Sequence, residues 1–139
     1  MSYTVEFFET ENLEVSENEA KQVLVRGEIT NVETGNSIEF DLVPLTNEVA
    51  FREDWDDEYD EFWNQIDYIR AMGMRSNHRA FYLYKGIPMK VIQISRDKYS
   101  CFNELDGNFT TTHEVMMDAE PIDFQTYQAK MADYAERSF

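Results

Sequence analysis

The residues best suited to chemistry are carboxylates on a predicted helix near the middle of the chain. Glu53, Asp57 and Glu61 recur at four-residue steps, with Asp56 and Asp60 beside them. On an α-helix such steps place charges about 6 Å apart along one face, near the spacing of successive phosphates on a nucleic-acid strand. The row therefore predicts electrostatic attraction to a basic surface, with the carboxylates imitating a phosphate backbone.

The same acids also have a purely structural explanation. Carboxylates are favoured in the first turns of a helix, where the helix dipole attracts negative charge, and on any solvated face. Like charges four residues apart, however, destabilise a helix by roughly 0.2–0.5 kcal/mol per pair. Few Lys or Arg stand at the compensating positions. A sequence selected for stability alone would intersperse bases, so the pattern favours a use for the charge.

A stripe of large apolar residues at steps of three and four positions these acids. It consists of Trp55, Tyr59, Phe62, Ile66 and Ile69, widened by Trp63. This periodicity is typical of the core face of an amphipathic helix and predicts one over about 55–72. Asp54 is the candidate N-cap, and Gly73 suits a left-handed stop at the other end.

The N-terminal third predicts antiparallel strands. Alternating apolar residues in "QVLVRGEITNV" and "SIEFDLV", joined by the turn "ETGN", indicate a hairpin with Ile29, Ile38 and Phe40 facing inward. Glu28, Glu39 and other acids then face outward. The opening "SYTVEFFE" indicates a further strand, and the acidic stretch from Glu9 to Glu19 is predicted to be a loop or a frayed connection.

The second half predicts a β-meander and a terminal helix. Strands are expected near 79–85, 88–95, 98–103 and 108–114, and their turns resemble those of small SH3-like barrels of the Tudor and KOW kind. Phe124, Tyr127, Met131 and Tyr134 recur at helical spacing behind Asp123, a candidate cap. The predicted fold is a single α+β domain with N-terminal hairpin strands, a central acidic amphipathic helix, an antiparallel meander and a C-terminal helix.

Composition limits the function classes. The 139 residues carry 12 Lys and Arg against 28 Asp and Glu, a formal charge of −16 that is concentrated in the first half. This charge disfavours direct nucleic-acid binding and attachment to anionic membranes, and it favours a basic protein surface as partner. A single cysteine and an N-terminus without signal-peptide character predict a cytoplasmic protein.

Motifs for catalysis, metals or cofactors are weak, and no cofactor is predicted. Cys101 and His113 are able to face each other across a hairpin, but a packed cysteine opposite a surface histidine is the favoured interpretation. The "DWDDEYDE" cluster lacks the alternating ligands and central glycine of a calcium loop. His78 and His113 have no metal-ligand spacing.

The favoured hypothesis is a non-enzymatic inhibitor that occupies a basic, nucleic-acid-binding surface of a partner protein by mimicry. Its partner-binding residues are expected to be Glu53, Asp56, Asp57, Asp60 and Glu61. Phage antirestriction or anti-CRISPR proteins and toxin-neutralising immunity proteins are similar in size and charge. Two alternatives stay open. One is an adaptor or assembly subunit that binds through aromatic residues such as Tyr3, Phe7, Phe8 and Tyr84. The other is an enzyme whose pocket is not indicated by any sequence motif.

Overall fold

The protein contains two antiparallel sheets, and a helical segment lies between them in the sequence. The structure is a computed structural model that describes residues 2–52 and 57–138. The first sheet has the order β1-β2-β3-β4: β1 Tyr3–Asn12, β2 Val23–Asn31, β3 Ser37–Val43 and β4 Glu48–Phe51. A 3₁₀ helix, Asp57–Gln65, leads into α1, Ile66–Arg75. The predicted N-terminal hairpin and central helix are confirmed, and with the second sheet and the C-terminal helix α3, Phe124–Arg137, so is the α+β class.

The second sheet has the order β8-β7-β6-β5-β9. Its strands are β5 Phe81–Tyr84, β6 Ile87–Ser95, β7 Lys98–Asn103, β8 Gly107–Thr112 and β9 Glu120–Ile122, with α2 His113–Asp118 and α3 Phe124–Arg137. Strands β8 and β9 lie at opposite edges, so this sheet is open rather than a closed barrel. The predicted fourth meander strand ends at Thr112, whose side chain caps α2, and β9 was not predicted. The predicted cap of α3 is confirmed, since Asp123 accepts a hydrogen bond from the Thr126 amide.

The inner face of the first sheet forms one of two apolar cores. Ile29, Ile38 and Phe40 are buried there beneath Phe62 of the 3₁₀ helix and Ile69 of α1. A glycine in β2 allows this packing, because a Cβ on Gly27 would lie 2.6 Å from the Phe40 ring. The second core, against the other sheet, is built around Tyr82, Met89, Tyr99 and Met116.

The acidic stretch Glu9–Glu19 differs from its predicted loop. Strand β1 extends to Asn12 and includes its first part, and the connection that follows is anchored to the second sheet. Ala20 is buried in the second core, and the Tyr82 hydroxyl donates to the Lys21 carbonyl at 2.5 Å. A charge-rich sequence is therefore held in place by a few apolar and backbone contacts.

The predicted α-helix over 55–72 is divided into two kinds of helix in the described residues. Residues 57–65 are 3₁₀, and regular α-helix starts only at Ile66. Trp63 does not widen the core stripe: it is 52% exposed and packs edge-on against Phe51. Trp55 and the proposed cap Asp54 lie outside the described residues.

Gly73 does not terminate α1, in contrast to the prediction. It is buried within the helix, where a Cβ would lie 3.0 Å from Leu42 of the first sheet. The helix continues to Arg75. Beyond it, Asn77 adopts the left-handed conformation, with a φ of 59°. Close helix–sheet contact, rather than helix termination, explains this glycine. None of the helices in the described ranges has the length and apolar character to cross a membrane.

Candidate functional site: an acidic sheet face

Three glutamates stand side by side across the first sheet. Strand register places Glu6 of β1 opposite Glu28 of β2, and Glu28 opposite Glu39 of β3. Residues paired in this way project from the same face, and neighbouring strands lie about 4.8 Å apart. Glu6 and Glu39 are exposed and Glu28 is half-buried. We call these three residues the glutamate ladder.

The cations nearest to the ladder are engaged by other carboxylates. Arg26 lies 2.9 Å from Glu9 and 3.0 Å from Glu11, while Arg52 lies 3.0 Å from Asp41. The hydrogen bond to Glu9 raises the pKa of Arg26. Among the described residues no cation bonds to any member of the ladder. Since like charges directly opposite each other destabilise a sheet, the ladder lowers stability.

The whole outward side of the first sheet shares this character. It presents seven carboxylates and two guanidinium groups within the described residues: Glu6, Glu9, Glu11, Glu28, Glu39, Asp41 and Glu48, with Arg26 and Arg52. We call this surface the acidic face. It lies on the side opposite the apolar core, where Arg26 and Arg52 neutralise Glu9, Glu11 and Asp41 but bond to no member of the ladder.

One large apolar side chain stands at the margin of the acidic face. The register of β1 against β2 shifts between Phe7 and Glu9, which leaves Phe8 unpaired in a β-bulge. Its side chain is 53% exposed. Bulges turn a side chain away from the regular alternation, and exposed aromatic residues beside polar surfaces frequently anchor protein interfaces.

The structure describes only part of the predicted partner-binding set. Glu53 and Asp56 lie outside the described residues, Asp57 begins the 3₁₀ helix, and Asp60 is exposed. A 3₁₀ helix has three residues per turn and about 2.0 Å rise, so residues four apart point in different directions. The backbone over 57–65 is thus 3₁₀ rather than the predicted α-helix. Asp60 instead shares a face with Trp63.

Glu61 has a structural role that the sequence did not indicate. One of its carboxylate oxygens accepts hydrogen bonds from Asn31 Nδ2 at 3.0 Å and from the Tyr3 hydroxyl at 3.3 Å. Burial and the adjoining Glu61 charge raise the pKa of Tyr3. The half-buried Glu61 thus ties the 3₁₀ helix to the first sheet, and its contacts to that sheet compete with any contact to a partner.

The glutamate ladder was missed at the sequence level, although part of its signal was visible. Alternation already placed Glu28 and Glu39 on outward positions, and the same rule applied to "SYTVEFFE" puts Glu6 outward. What alternation alone does not provide is the register that aligns the three. The Asn31 side chain helps to set it, because its Oδ1 accepts the amides of Glu33 and Thr34 in the β2–β3 turn.

The aromatic residues of the adaptor hypothesis are mostly occupied in packing. Tyr3 and Phe7 are half-buried and pack edge-on against Phe62 and Phe40, with ring centroids 6.1 and 5.9 Å apart, respectively. Tyr84 is also half-buried. Of the four residues considered, only Phe8 is largely exposed.

The possible Cys101–His113 pair is not formed. Cys101 is paired with Phe109 in the β7–β8 hairpin, whereas the two ring nitrogens of His113 lie within hydrogen-bonding distance of the Tyr99 hydroxyl and the Asn18 carbonyl. Burial raises the pKa of the Cys101 thiol to about 11, which keeps it protonated and unreactive at neutral pH. Within the described ranges no three His, Cys, Asp or Glu side chains converge as metal ligands.

No protein-family model, curated protein or solved structure matches the chain.

Proposed function

We propose that this is a non-enzymatic interaction protein whose acidic face docks on a basic surface of a partner protein. The observation that carries the proposal is the glutamate ladder, three aligned carboxylates without a bonded cation among the described residues. A nucleic-acid-binding surface is the favoured partner class, because such surfaces present clustered Lys and Arg to phosphates. The protein then acts as an inhibitor by nucleic-acid mimicry.

Electrostatic repulsion within the ladder contributes to this mode of binding. In the free protein the three carboxylates repel one another across adjacent strands, which destabilises the sheet. A basic partner neutralises them and relieves that repulsion, so part of the binding free energy comes from the strain of the free state. The summed field of the acidic face also steers a basic partner toward it, and both effects weaken in high salt.

Phe8 supplies an apolar contact at the margin of the same surface. Charge complementarity mainly determines the association rate and specificity, whereas buried aromatic anchors contribute much of the affinity. Glu6 precedes Phe8 by two residues and Glu9 follows it directly in β1. A partner that covers the ladder is therefore within reach of the exposed ring.

A capture experiment with four baits tests the proposal. Tagged wild-type protein is compared with a ladder variant, Glu6→Gln, Glu28→Gln and Glu39→Gln, in host lysate at low salt and at about 0.5 M salt. A matched control, Glu14→Gln, Glu17→Gln and Glu114→Gln, removes equal charge from exposed positions outside the acidic face. The expected result is a basic protein that the wild type and the control retain at low salt and that the ladder variant loses.

The fourth bait separates the acidic face from the predicted helical site. It carries Asp56→Asn, Asp57→Asn and Asp60→Asn but keeps Glu61, whose bonds to Asn31 and Tyr3 join helix and sheet. The 3₁₀ helix covers the inner side of the first sheet, opposite the ladder. Loss of the partner from this bait alone would assign binding to the helix and contradict our assignment to the acidic face.

Mimicry has its own test. Once the basic partner is identified, labelled DNA or RNA bound to it is titrated with wild-type protein and with the ladder variant. Displacement by the wild type and at least tenfold weaker displacement by the variant supports inhibition by mimicry. Simultaneous binding of protein and nucleic acid would contradict it while leaving the interaction itself intact.

A further inference from the structure

A cleft remains where the β3–β4 turn and α1 meet strands β6 and β7. Its volume is about 230 Å³. The lining contains three cationic side chains, Arg70, Arg79 and Lys90, and no Asp or Glu among the described residues. In a chain with 28 acids and 12 bases, a quarter of all cations therefore line one cleft that excludes carboxylates. This composition is the reverse of that of the acidic face.

The floor of the cleft is apolar. Leu42, Pro44, Ile92 and Phe102 contribute the apolar lining, whereas Ala80, Val91 and Cys101 belong to the second core. Arg79 is exposed, while Arg70 and Lys90 are half-buried. A cleft with apolar walls and a few convergent polar groups is the usual form of a small-molecule site.

The three cations differ in how far their charge is already neutralised. Lys90 pairs with Glu104 at 2.9 Å, and Arg70 pairs with Asp67, whose side chain is 96% exposed and so interacts weakly. The Arg70 Nε also donates to the Asn47 carbonyl at 2.7 Å, which orients the guanidinium group. Arg79 has no ion-pair partner within residues 2–52 and 57–138. Arg79 and Arg70 thus retain capacity for an anion.

His78 adds a neutral polar group to the same lining. Its ring lies against Phe7, with centroids 4.4 Å apart, and its Nδ1 is buried without a hydrogen-bond partner among the described residues. Burial lowers the pKa of His78, so the imidazole is uncharged at neutral pH. It adds hydrogen-bonding capacity without adding charge.

We propose that this cleft binds a small organic monocarboxylate with an apolar body. The carboxylate lies against Arg79 and Arg70 at the rim, and the body contacts Leu42, Pro44 and Ile92 on the floor. An apolar cavity of about 150 Å³ holds benzene, so this volume suits roughly nine or ten non-hydrogen atoms. Inorganic anions leave the floor uncovered, and cationic ligands meet no counter-charge in the lining.

Benzoate is a suitable probe because it combines one carboxylate with a ring of the right size. It is titrated at fixed ionic strength into isotope-labelled full-length protein, with amide and methyl shifts as the readout. The proposal predicts saturable shifts at Ala80, Val91 and Ile92, with a dissociation constant of about 1 mM or lower. Benzamide, the neutral isostere, is expected to bind at least about fivefold more weakly, because it lacks the charge-assisted bonds.

Arg79→Gln is the decisive variant, since the exposed side chain has no ion pair whose loss would affect folding. It is expected to weaken benzoate about fivefold or more, whereas Arg96→Gln, an equal charge change at an exposed position outside the lining, leaves the affinity unchanged. Three results would overturn the proposal: no saturable shifts in the cleft, equal affinity for benzamide, or an affinity that Arg79→Gln does not alter.

Discussion

The acidic face and the cleft carry charges of opposite sign in different surroundings. On the acidic face, seven carboxylates surround two arginines in contact with solvent, and the ladder lies directly across three strands. In the cleft, three cations surround an apolar floor from which carboxylates are absent in the described residues. The formal charge of −16 conceals this separation, because it averages two regions that suit different ligands.

Solvent exposure explains why both arrangements are tolerated. Like charges on a solvated sheet are screened by water and salt, so a ladder lowers stability by about 1 kcal/mol or less per pair. Cations beside an apolar floor are less well screened and interact more strongly with an incoming anion. A large negative charge on the acidic face therefore lowers stability only slightly, whereas a few cations in the cleft are enough to attract an anion.

The largest expected effect disrupts the packing on which the acidic face depends. Gly27→Ala places a Cβ 2.5 Å from the Glu6 carbonyl and 2.6 Å from the Phe40 ring, in the middle of the strand that carries Glu28. We expect the free energy of unfolding to fall by about 3 kcal/mol. Urea denaturation measures this change.

The matched control is Gly35→Ala in the β2–β3 turn. Gly35 has a φ of 77° but nothing within 4 Å of an added Cβ, so only backbone strain of about 1 kcal/mol is expected. Equal losses at the two positions would show that contact with Phe40 does not restrict Gly27.

A substitution within the ladder is expected to raise the free energy of unfolding, by less than Gly27→Ala lowers it. Glu28 has a glutamate on either side, so Glu28→Lys replaces two repulsive pairs with two attractive ones. Thermal and urea unfolding are expected to show a gain of about 1 kcal/mol at low salt that shrinks in 1 M salt. Glu14→Lys makes the same charge change at an exposed position outside the sheets. If both variants gain equally, relief of net charge rather than of the ladder is responsible.

The strands that carry the acidic face are predictable from the sequence, whereas the alignment of the ladder glutamates depends on contacts between residues distant in the chain. Alternation predicts β2 and β3, and helical spacing predicts α3 with its Asp123 cap. The ladder needs the pairing register as well. Local pattern also does not distinguish 3₁₀ from α-helix over 57–65, where Glu61 bonds to Asn31 in the distant first sheet.

The cleft was beyond the reach of sequence analysis for a related reason. Arg70, Arg79 and Lys90 lie on a helix, a loop and a strand, and no spacing along the chain connects them. Strand β9 was missed because it is only three residues long and contains a proline, both of which disfavour a strand prediction. Its partner β5 nevertheless holds it through tertiary pairing.

The smallest predicted effect concerns the pH dependence of the cleft side. Burial lowers the pKa of His78 below its ordinary value of 6.5, so the unfolded chain binds a proton before the native protein does. The stabilising effect of keeping this ring neutral is fully present above pH 6.5 and declines as the pH falls toward the native pKa. Stability measured between pH 7 and pH 5 should therefore decline less steeply in His78→Phe, which keeps a ring against Phe7. An unchanged slope would show that His78 is not held neutral in the native protein.

The central claim, that the glutamate ladder is the binding surface, is tested most directly by affinity. Isothermal titration of the captured basic partner compares wild type, the ladder variant and the charge-matched control at low and high salt. We predict that the ladder variant binds at least tenfold more weakly at low salt and shows a smaller loss of affinity with added salt, while the control resembles the wild type. Equal affinities for the wild type and the ladder variant would contradict the claim and identify the acidic face as a solvated surface only.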